Sequence, residues 1–550
     1  MIWDFWRQGD LEGALASDLL DRLEVVIPKL VPDELTIPDL YLRRNLTRLV
    51  GVFTSSDAFK KSTYRRKCLN QLPPEKLREL ALRTGVAVAA TSFDERVEAL
   101  ATQKWDAGQF AGDFVEFFDL PSRFLPQRTE PRPDATRFTP ATPENPVRIE
   151  APYKPLKDYQ TQVFYDASRV LEPPRARLII QMPTGAGKTR TAMELLTHFL
   201  RETAPGTTVA WLAHSEELCE QAFRAFTEVW QHVGDSPLTA YRAWGSHQLP
   251  AHKGENGFVV TSFQKLYAAV QSGTTEASAL REEVSLILVD EAHKAIAPTY
   301  RAAIRAMTAD EVRIVGLTAT PGRTFEEETE ELATFFFRTL VGITAPEGQT
   351  VIQFLRGRGI LSKAHYDPLH TSRTYELTPA QRRSLEEQLD FPKGFLQTIA
   401  EDDIRNIEIL KKLLEECQAD RRVLLFAASV AQSKFFTAVL MFLGIEAAHL
   451  DGSTDKVRRR HLIEDFKTGR VQVLCNYSVL STGFDAPNTD VVLIARPTAS
   501  PVLYSQMIGR GLRGPAIGGT ETCKLIDVRD NIVGFGDQDR VYSRFEEYFV

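Results

Sequence analysis

Two short clusters carry groups suited to phosphate chemistry. The first is Gln181-Met182-Pro183-Thr184-Gly185-Ala186-Gly187-Lys188-Thr189, which follows an apolar run and precedes a helical pattern. Gly185 and Gly187 let the backbone curl around Ala186 until successive N–H groups converge on phosphate oxygens. The helix N-terminus beyond them adds a favourable dipole. Lys188 offers a cation to the β- and γ-phosphates, and Thr189 a hydroxyl ligand for Mg²⁺. The strict pattern has Gly where Met182 stands, at its loosest position. A glycine turn with an incidental lysine is the alternative, and the second cluster speaks against it. Leu286-Ile287-Leu288-Val289-Asp290-Glu291-Ala292-His293 ends an apolar strand with two carboxylates, about a hundred residues further on. Asp290 is suited to hold Mg²⁺, and Glu291 to orient and deprotonate an attacking water. Together the clusters predict hydrolysis of a nucleoside triphosphate.

Such groups need strands to aim them. Short apolar runs alternate with helical stretches at Leu178–Gln181, Thr208–Ala213, Phe258–Ser262, Leu286–Asp290 and Arg313–Thr318. A second series follows at Val423–Ala427, Ala447–Leu450, Val471–Asn476, Val491–Ala495 and Cys523–Val528. Continuous apolar strands separated by helices imply parallel sheets wound on both faces. The expected fold is α/β, with two tandem parallel-sheet domains at 151–345 and 346–550. Ahead of them, residues 1–125 read as a mostly helical accessory domain, with helices at Leu11–Val26 and Pro74–Leu82. Pro73-Pro74 looks like a helix start and Gly85 a helix end. Residues 126–150 are rich in proline and predict an extended linker.

At this point the chain resembles a known family. Asp290-Glu291-Ala292-His293 is the DEAH form of the superfamily 2 helicase signature, and other motifs stand around it in order. Leu156-Lys157-Asp158-Tyr159-Gln160 resembles the Q motif, Ala213-His214-Ser215-Glu216-Glu217-Leu218 motif Ia, and Thr261-Ser262-Phe263-Gln264-Lys265-Leu266 motif Ic. Thr318-Ala319-Thr320-Pro321 resembles motif III, Leu424-Leu425-Phe426-Ala427 motif IV, and Ser481-Thr482-Gly483-Phe484-Asp485 motif V. Gln506-Met507-Ile508-Gly509-Arg510-Gly511-Leu512-Arg513 resembles motif VI. The XPB-like and RadD-like DEAH helicases look most similar, through Val289–Tyr300 and Leu525–Asn531; the zinc module of RadD-type proteins has no counterpart cysteine cluster here.

The resemblance implies two RecA-like lobes with ATP and Mg²⁺ between them. It puts Gln160 on adenine, Asp485 on the ribose or beside the arginines, and Arg510 and Arg513 on the γ-phosphate, with Arg513 as the finger. If the stretch is helical, those arginines share a face. His293, Thr318, Thr320 and Gln506 fall to coupling. Thr261, Gln264 and Thr482 are candidates for nucleic-acid phosphates, though each could equally be a polar turn residue. DNA, single-stranded or forked, is favoured over RNA by family analogy alone. A DNA motor in bacterial repair or antiviral defence is implied. A double-stranded DNA translocase, or a nucleotide-gated subunit of a nuclease-containing complex, is the alternative.

Composition sets the remaining bounds. The chain has 550 residues and a formal charge of −7, so a nucleic-acid track must be local. No apolar run nears membrane-spanning length and no leader pattern opens the sequence, which predicts a cytoplasmic protein. Five dispersed cysteines without a CxxC pair argue against disulfides and zinc. All ten histidines lie at or beyond His198, so the first 150 residues lack the means for a histidine-dependent nuclease. Residues 43–83 hold eleven Lys or Arg against three acids. Lys60, Lys61, Arg65, Arg66 and Lys67 around Tyr64 could follow a phosphate backbone, or simply form a solvated helix face. Trp3, Phe5, Trp6, Trp105, Phe117 and Phe118 could anchor a protein partner or fill a small core.

Overall fold

A computed structural model describes residues 17–31, 58–106, 109–118, 134–139, 152–250, 256–308, 311–319, 326–388, 390–452, 456–477 and 488–533, with Leu46, Leu49, Val50 and Thr454 besides. The first sheet is built from β1 (Ala135–Phe138), β2 (Arg177–Gln181), β3 (Thr208–Ala213), β4 (Leu238–Ala243), β5 (Asn256–Ser262), β6 (Val284–Asp290), β7 (Arg313–Thr318) and β8 (Leu340–Gly342). Their order is β1-β4-β5-β3-β6-β7-β2-β8, and every pairing is parallel except that of β1 with β4. β3 and β5 are buried at every position, which is why they read as unbroken apolar runs. Alternate residues feed two cores. Leu178, Ile180, Val209 and Trp211 pack with helices Asp158–Leu171, Lys188–Glu202 and Glu216–Val233. Ile179, Ala210 and Leu212 pack with the opposite layer, which includes Phe263, Leu266, Ala303 and Ile304.

The second sheet contains β9 (Lys363–Tyr366), β10 (Leu369–Glu376), β11 (Val423–Phe426), β12 (Ala447–Leu450), β13 (Val473–Asn476), β14 (Val491–Ile494) and β15 (Thr522–Val533). It runs β10-β15-β14-β11-β13-β12, all parallel, with β9 also on β15. The two-sheet architecture is that of tandem RecA-like lobes, as the strand pattern predicts. Beyond residue 345, helix Val351–Gly357 still belongs to the first lobe, burying Ile352 and Leu355 in its core together with Ile360 and Leu361.

The proline-rich stretch is not wholly an extended connector. Its residues Ala135–Phe138 form β1, antiparallel to the edge strand β4. A short proline-free segment beside an open edge gains ladder hydrogen bonds that the composition of its surroundings hides.

The N-terminal segment is helical, with helices Ser17–Val26, Ser62–Leu69, Pro74–Thr84, Phe93–Ala101 and Gln109–Phe117. Gly85 caps the third of these at φ +68°, where a left-handed residue is needed. Leu11–Ala16 of the anticipated first helix lie outside the described residues. These helices share one continuous core with the second lobe: Leu23, Phe59, Leu80 and Phe114 join the cluster that holds Leu410, Leu413, Phe435 and Val439. Arg22 bridges the two parts, 2.6 Å from Asp403 and with its guanidinium 4.3 Å from the centre of the Phe435 ring.

Part of the basic cluster is engaged within the domain, while Lys60 and Lys61 stay exposed. Arg65 is buried and donates to the carbonyls of Phe59, Ala101 and Gln103. Arg66 pairs with Glu98, Lys76 with Glu79, and Arg83 with Glu116 and Asp113. A count of charges cannot see which guanidinium faces inward. The aromatics Trp105, Phe114 and Phe118 likewise stack within the domain; Trp3, Phe5 and Trp6 lie outside the described residues. Arg22→Ala removes a half-exposed ion pair and a cation–π contact, each worth up to about 1 kcal/mol. It is expected to lower unfolding stability by about 1–2 kcal/mol in a denaturant titration, with no change in the m-value.

Candidate functional site

The chemistry-bearing segments lie at the carboxyl ends of adjacent strands. The β2–β7 register pairs Gln181 with Thr318, and the β6–β7 register pairs Asp290 with Leu317. The phosphate loop, Thr318 and the acidic pair therefore emerge side by side, where ligands of open α/β sheets bind. The Met182 N–H donates to the Thr318 carbonyl at 3.2 Å, fixing the loop to β7. Met182 itself is fully buried in the first lobe's core, which accounts for an apolar side chain at this position.

Gly185 and Gly187 adopt φ +88° and +85°, and Gly187 opens the helix Lys188–Glu202. A Cβ on Gly187 would stand 2.1 Å from Gln160 Nε2. Gln160 is buried; its Nε2 donates to the Ala186 carbonyl at 3.2 Å, and its Oε1 accepts from the Lys157 N–H at 2.8 Å. The Tyr159 hydroxyl also donates to the Ala186 carbonyl, at 3.1 Å. Burial pushes that phenol up to about 12, so it stays protonated. In this structure Gln160 braces the phosphate loop. Tyr159 does so too, and the sequence reading did not select it; its place beside Gln160 in the motif was the available signal.

Lys188 Nζ stands 3.8 Å from Glu291 Oε1, and Glu291 Oε2 stands 3.4 Å from His293 Nδ1. Glu291 sits at φ +53°, a left-handed conformation that costs a non-glycine residue about 1–2 kcal/mol. That turn swings the chain sharply off β6, and such local strain is commonly held at functional sites. The Glu291 N–H donates to Asp290 Oδ1 at 3.0 Å, which orients a buried carboxylate. Lys188, Glu291 and His293 are thus brought together, with Asp290 alongside. Thr189 opens the helix next to Lys188. Asp290 and Thr189 present hard oxygen donors, the chemistry Mg²⁺ takes. Among the described residues no group of three or more His, Cys, Asp or Glu could hold a metal by itself.

The second lobe meets the loop directly. A Cβ on Gly509 would fall 2.4 Å from Thr184 Cγ2. A Cβ on Gly185 would lie 3.5 Å from Leu361 Cδ2 and 4.0 Å from Arg513 Cγ. Arg510 and Gln506 are buried on helix Pro501–Gly511. Arg513 lies beyond that helix, bridged antiparallel to Leu361, with its carbonyl accepting from Ser362 Oγ at 2.6 Å. The shared helix face considered for the two arginines therefore does not apply: the helix stops at Gly511. Burial pulls the Arg513 guanidinium down to about 10, leaving it cationic at neutral pH. Gly509 and Leu361 are the contacts that sequence reasoning did not single out. A glycine inside a helix was the signal for the first, since it weakens a helix without a packing reason. Leu361 carried none.

The nucleic-acid candidates fare differently. Thr261 is fully buried and its hydroxyl donates to the Ala243 carbonyl at 2.7 Å, so it ties β5 to β4 and cannot reach a phosphate. Gln264 is exposed and donates to the Tyr300 hydroxyl at 3.1 Å, while that ring stacks on Phe263 at 4.2 Å. Thr320, Thr482 and Asp485 lie outside the described residues.

Comparison with known proteins adds a family reading. Residues 153–323 match the family described as type III restriction enzyme, res subunit, and residues 405–514 match the helicase conserved C-terminal domain. The chain is 26% identical over 372 residues to the putative ATP-dependent helicase IRC3 of Saccharomyces cerevisiae, covering 65% of this chain and 49% of that protein. It is 28% identical over 338 residues to a 51.5 kDa protein of a Lactococcus phage, covering 61% of this chain and 62% of that protein. The chain thus spans less than two-thirds of each of these relatives. The DNA-bound ATP-dependent type ISP restriction-modification enzyme LlaBIII shares 15% identity, with a TM-score of 0.49 over 74% of this chain and 30% of that one, a loose likeness on which nothing below rests. A res-subunit domain of the type III restriction enzyme family thus precedes a helicase C-terminal domain in this chain. No helix among the described residues is long and apolar enough to cross a membrane.

Two predictions follow from the geometry. Gly509→Val drives a side chain into Thr184 and should lower steady-state ATP turnover at least about tenfold, while the thermal midpoint moves by only a few degrees. The second concerns Asp527, which accepts from the Tyr504 hydroxyl at 2.6 Å and ties the Arg510 helix to β15. Burial raises its carboxyl to about 6. The folded state thus prefers the protonated form, and that stabilisation is full below the ordinary carboxylate range and lost as pH rises through about 6. The thermal midpoint of Asp527→Asn minus that of the parent should therefore increase from pH 4 to pH 7.

Proposed function

We propose that this chain is a superfamily 2 helicase of the DEAH type, similar to the XPB-like and RadD-like group, that uses ATP and Mg²⁺ to move along DNA. The observation that supports the reading is the meeting of the phosphate loop at Thr184 with the motif VI helix at Gly509, as a nucleotide site shared by two lobes requires. Lys188 and the N–H groups of Gly185 to Thr189 bind the β- and γ-phosphates. Asp290 and Thr189 hold Mg²⁺, which supplies charge neutralisation on the transferring phosphoryl group. Glu291, set by its left-handed turn and by His293, positions and deprotonates the attacking water. Arg510 and Arg513 reach the γ-phosphate from the second lobe, so hydrolysis depends on closure. Thr318, bonded to the loop through Met182, relays the state of the phosphates into the first lobe, with Thr320 beyond it and Gln506 facing from the second. Gln160 adds adenine contact to its bracing of the loop, and Asp485 holds the ribose.

Gln264 and the Thr482 segment supply contacts to the DNA backbone. DNA repair or antiviral defence is the proposed setting, and the match to the family described as type III restriction enzyme, res subunit, supports it. The N-terminal domain rides on the second lobe and moves with it, and a protein partner would sit on its outer face.

ATPase rates measured with single-stranded DNA, forked DNA, duplex DNA and RNA test the reading. Stimulation is expected with single-stranded and forked DNA. Lys188→Ala should abolish turnover, and Glu291→Gln should bind ATP without hydrolysing it. No stimulation by any nucleic acid would overturn the motor, and stimulation by duplex alone would favour a translocase that leaves strands paired.

A further inference from the structure

Arg513 lies past the end of the motif VI helix, so no helical ladder fixes its backbone. Its place is set by another part of the chain. Residues 359–362 lead from the first lobe to the second. Ile360 and Leu361 are buried in the first lobe's core, and Lys363 opens β9 of the second sheet, opposite Thr522 of β15. The loop that follows Arg513 wraps this crossing. The Gly514 N–H donates to the Ile360 carbonyl and the Ala516 N–H to the Gly359 carbonyl, both at 2.9 Å. In return the Ser362 N–H donates to the Leu512 carbonyl at 3.3 Å, and the Lys363 N–H to the Glu521 carbonyl at 2.9 Å. The fit is close: a Cβ on Gly514 would stand 2.2 Å from the Gly359 carbonyl oxygen. Leu512 and Cys523, on either side of the loop, are buried in the second lobe, whereas Ile517 within it packs against the first lobe's core.

Inside this clasp the Arg513 peptide is held twice. Its carbonyl accepts from the Thr520 N–H at 3.0 Å and from the Ser362 hydroxyl at 2.6 Å. Ser362 Oγ is also 2.6 Å from the Thr520 carbonyl, and its one proton serves one of the two at a time. Ser362 is 1% exposed, so removing its hydroxyl leaves the paired carbonyls short of a buried donor. Gly519 leaves room at the same point: a Cβ there would fall 1.9 Å from the Arg513 carbonyl oxygen. A guanidinium at the end of a long side chain inherits any shift of its backbone, and a displacement of about 1 Å can slow a reaction about a hundredfold.

We propose that Ser362 is a positioning residue for Arg513, through which the crossing between the lobes sets where the guanidinium stands. The proposal rests on the reading above, in which Arg513 meets the γ-phosphate. Ser362 acts through the Arg513 backbone and not on the nucleotide. Because it stands on the crossing itself, a bend between the lobes reaches the arginine through the same hydrogen bond.

The test is a double-mutant cycle on the full chain: the parent, Ser362→Ala, Arg513→Ala and the pair. Each protein is read by steady-state ATP turnover and by binding of ADP with and without aluminium fluoride, a mimic of the transferring phosphoryl group, so the cycle closes even where turnover is slow. Ser362→Ala is expected to lower kcat at least about fivefold with KM within about twofold, and to weaken the aluminium fluoride complex by a similar factor while ADP alone binds as before. Gly519→Ala, which presses on the same carbonyl, should act likewise. In the Arg513→Ala background, Ser362→Ala should have no further effect. An equal loss from Ser362→Ala in both backgrounds would make the hydroxyl merely structural and overturn the proposal, as would a parent-like kcat in Ser362→Ala. A parent-like kcat in Arg513→Ala would instead overturn the γ-phosphate reading of Arg513, and this proposal with it.

Discussion

The parallel pairing of β6, β7 and β2 is the constraint on which the site depends. With Gln181 opposite Thr318 and Asp290 opposite Leu317, three loops leave the sheet at the same level. Side chains in a strand alternate between faces, so a one-residue slip would turn each strand's inward set outward. The two cores prevent such a slip. Ile180 belongs to one and Ile179 to the other, and each fits only in its own layer. Apolar burial on both faces thus sets the position of Glu291 relative to Lys188 to within a few ångströms.

A second constraint acts across the lobes, and it is one of size. The motif VI helix approaches Thr184 closely enough that a side chain at 509 would force it aside, and within the first lobe Gly187 holds φ +85° beside Gln160. Removing side chains at two points lets backbone and functional groups converge where bulk would hold them apart. Burial of Arg513 beside this contact keeps a cation in a site of low polarity, where an approaching phosphate gains most from it.

The second lobe is itself reinforced by charge. Arg405 and Asp530 form a fully buried pair joining helix Asp403–Gln418 to β15, and Arg405 also donates to the Ala495 carbonyl at the end of β14. Breaking such a pair on one side would strand a buried charge. The N-terminal helices then pack on that same helix through Arg22 and Asp403. The second lobe thus carries an extra helical layer, and Arg65 of the basic-looking segment is used inward in it. Arg65 holds three carbonyls together, and Arg66 and Arg83 find acids within the domain.

The sequence by itself determined the α/β class, the two tandem sheets and which residues make up the candidate nucleotide site. These rest on local signals: apolar runs long enough for buried strands, glycines at left-handed positions 185 and 187, and carboxylates at a strand end. Strand ends were legible to within a few residues. Tertiary structure alone decided the rest, because it depends on which distant surfaces meet. Thr261 carries the motif of a nucleic-acid contact yet is buried and tied sideways to β4, a neighbour that no local pattern announces. Arg513 sits past a helix end fixed by its bridge to Leu361, some 150 residues away. β1 forms because an unfilled sheet edge lies beside it, and the N-terminal domain joins the second lobe because its apolar faces complete a core formed hundreds of residues later. Composition records how many such groups exist; only packing decides which of them face one another.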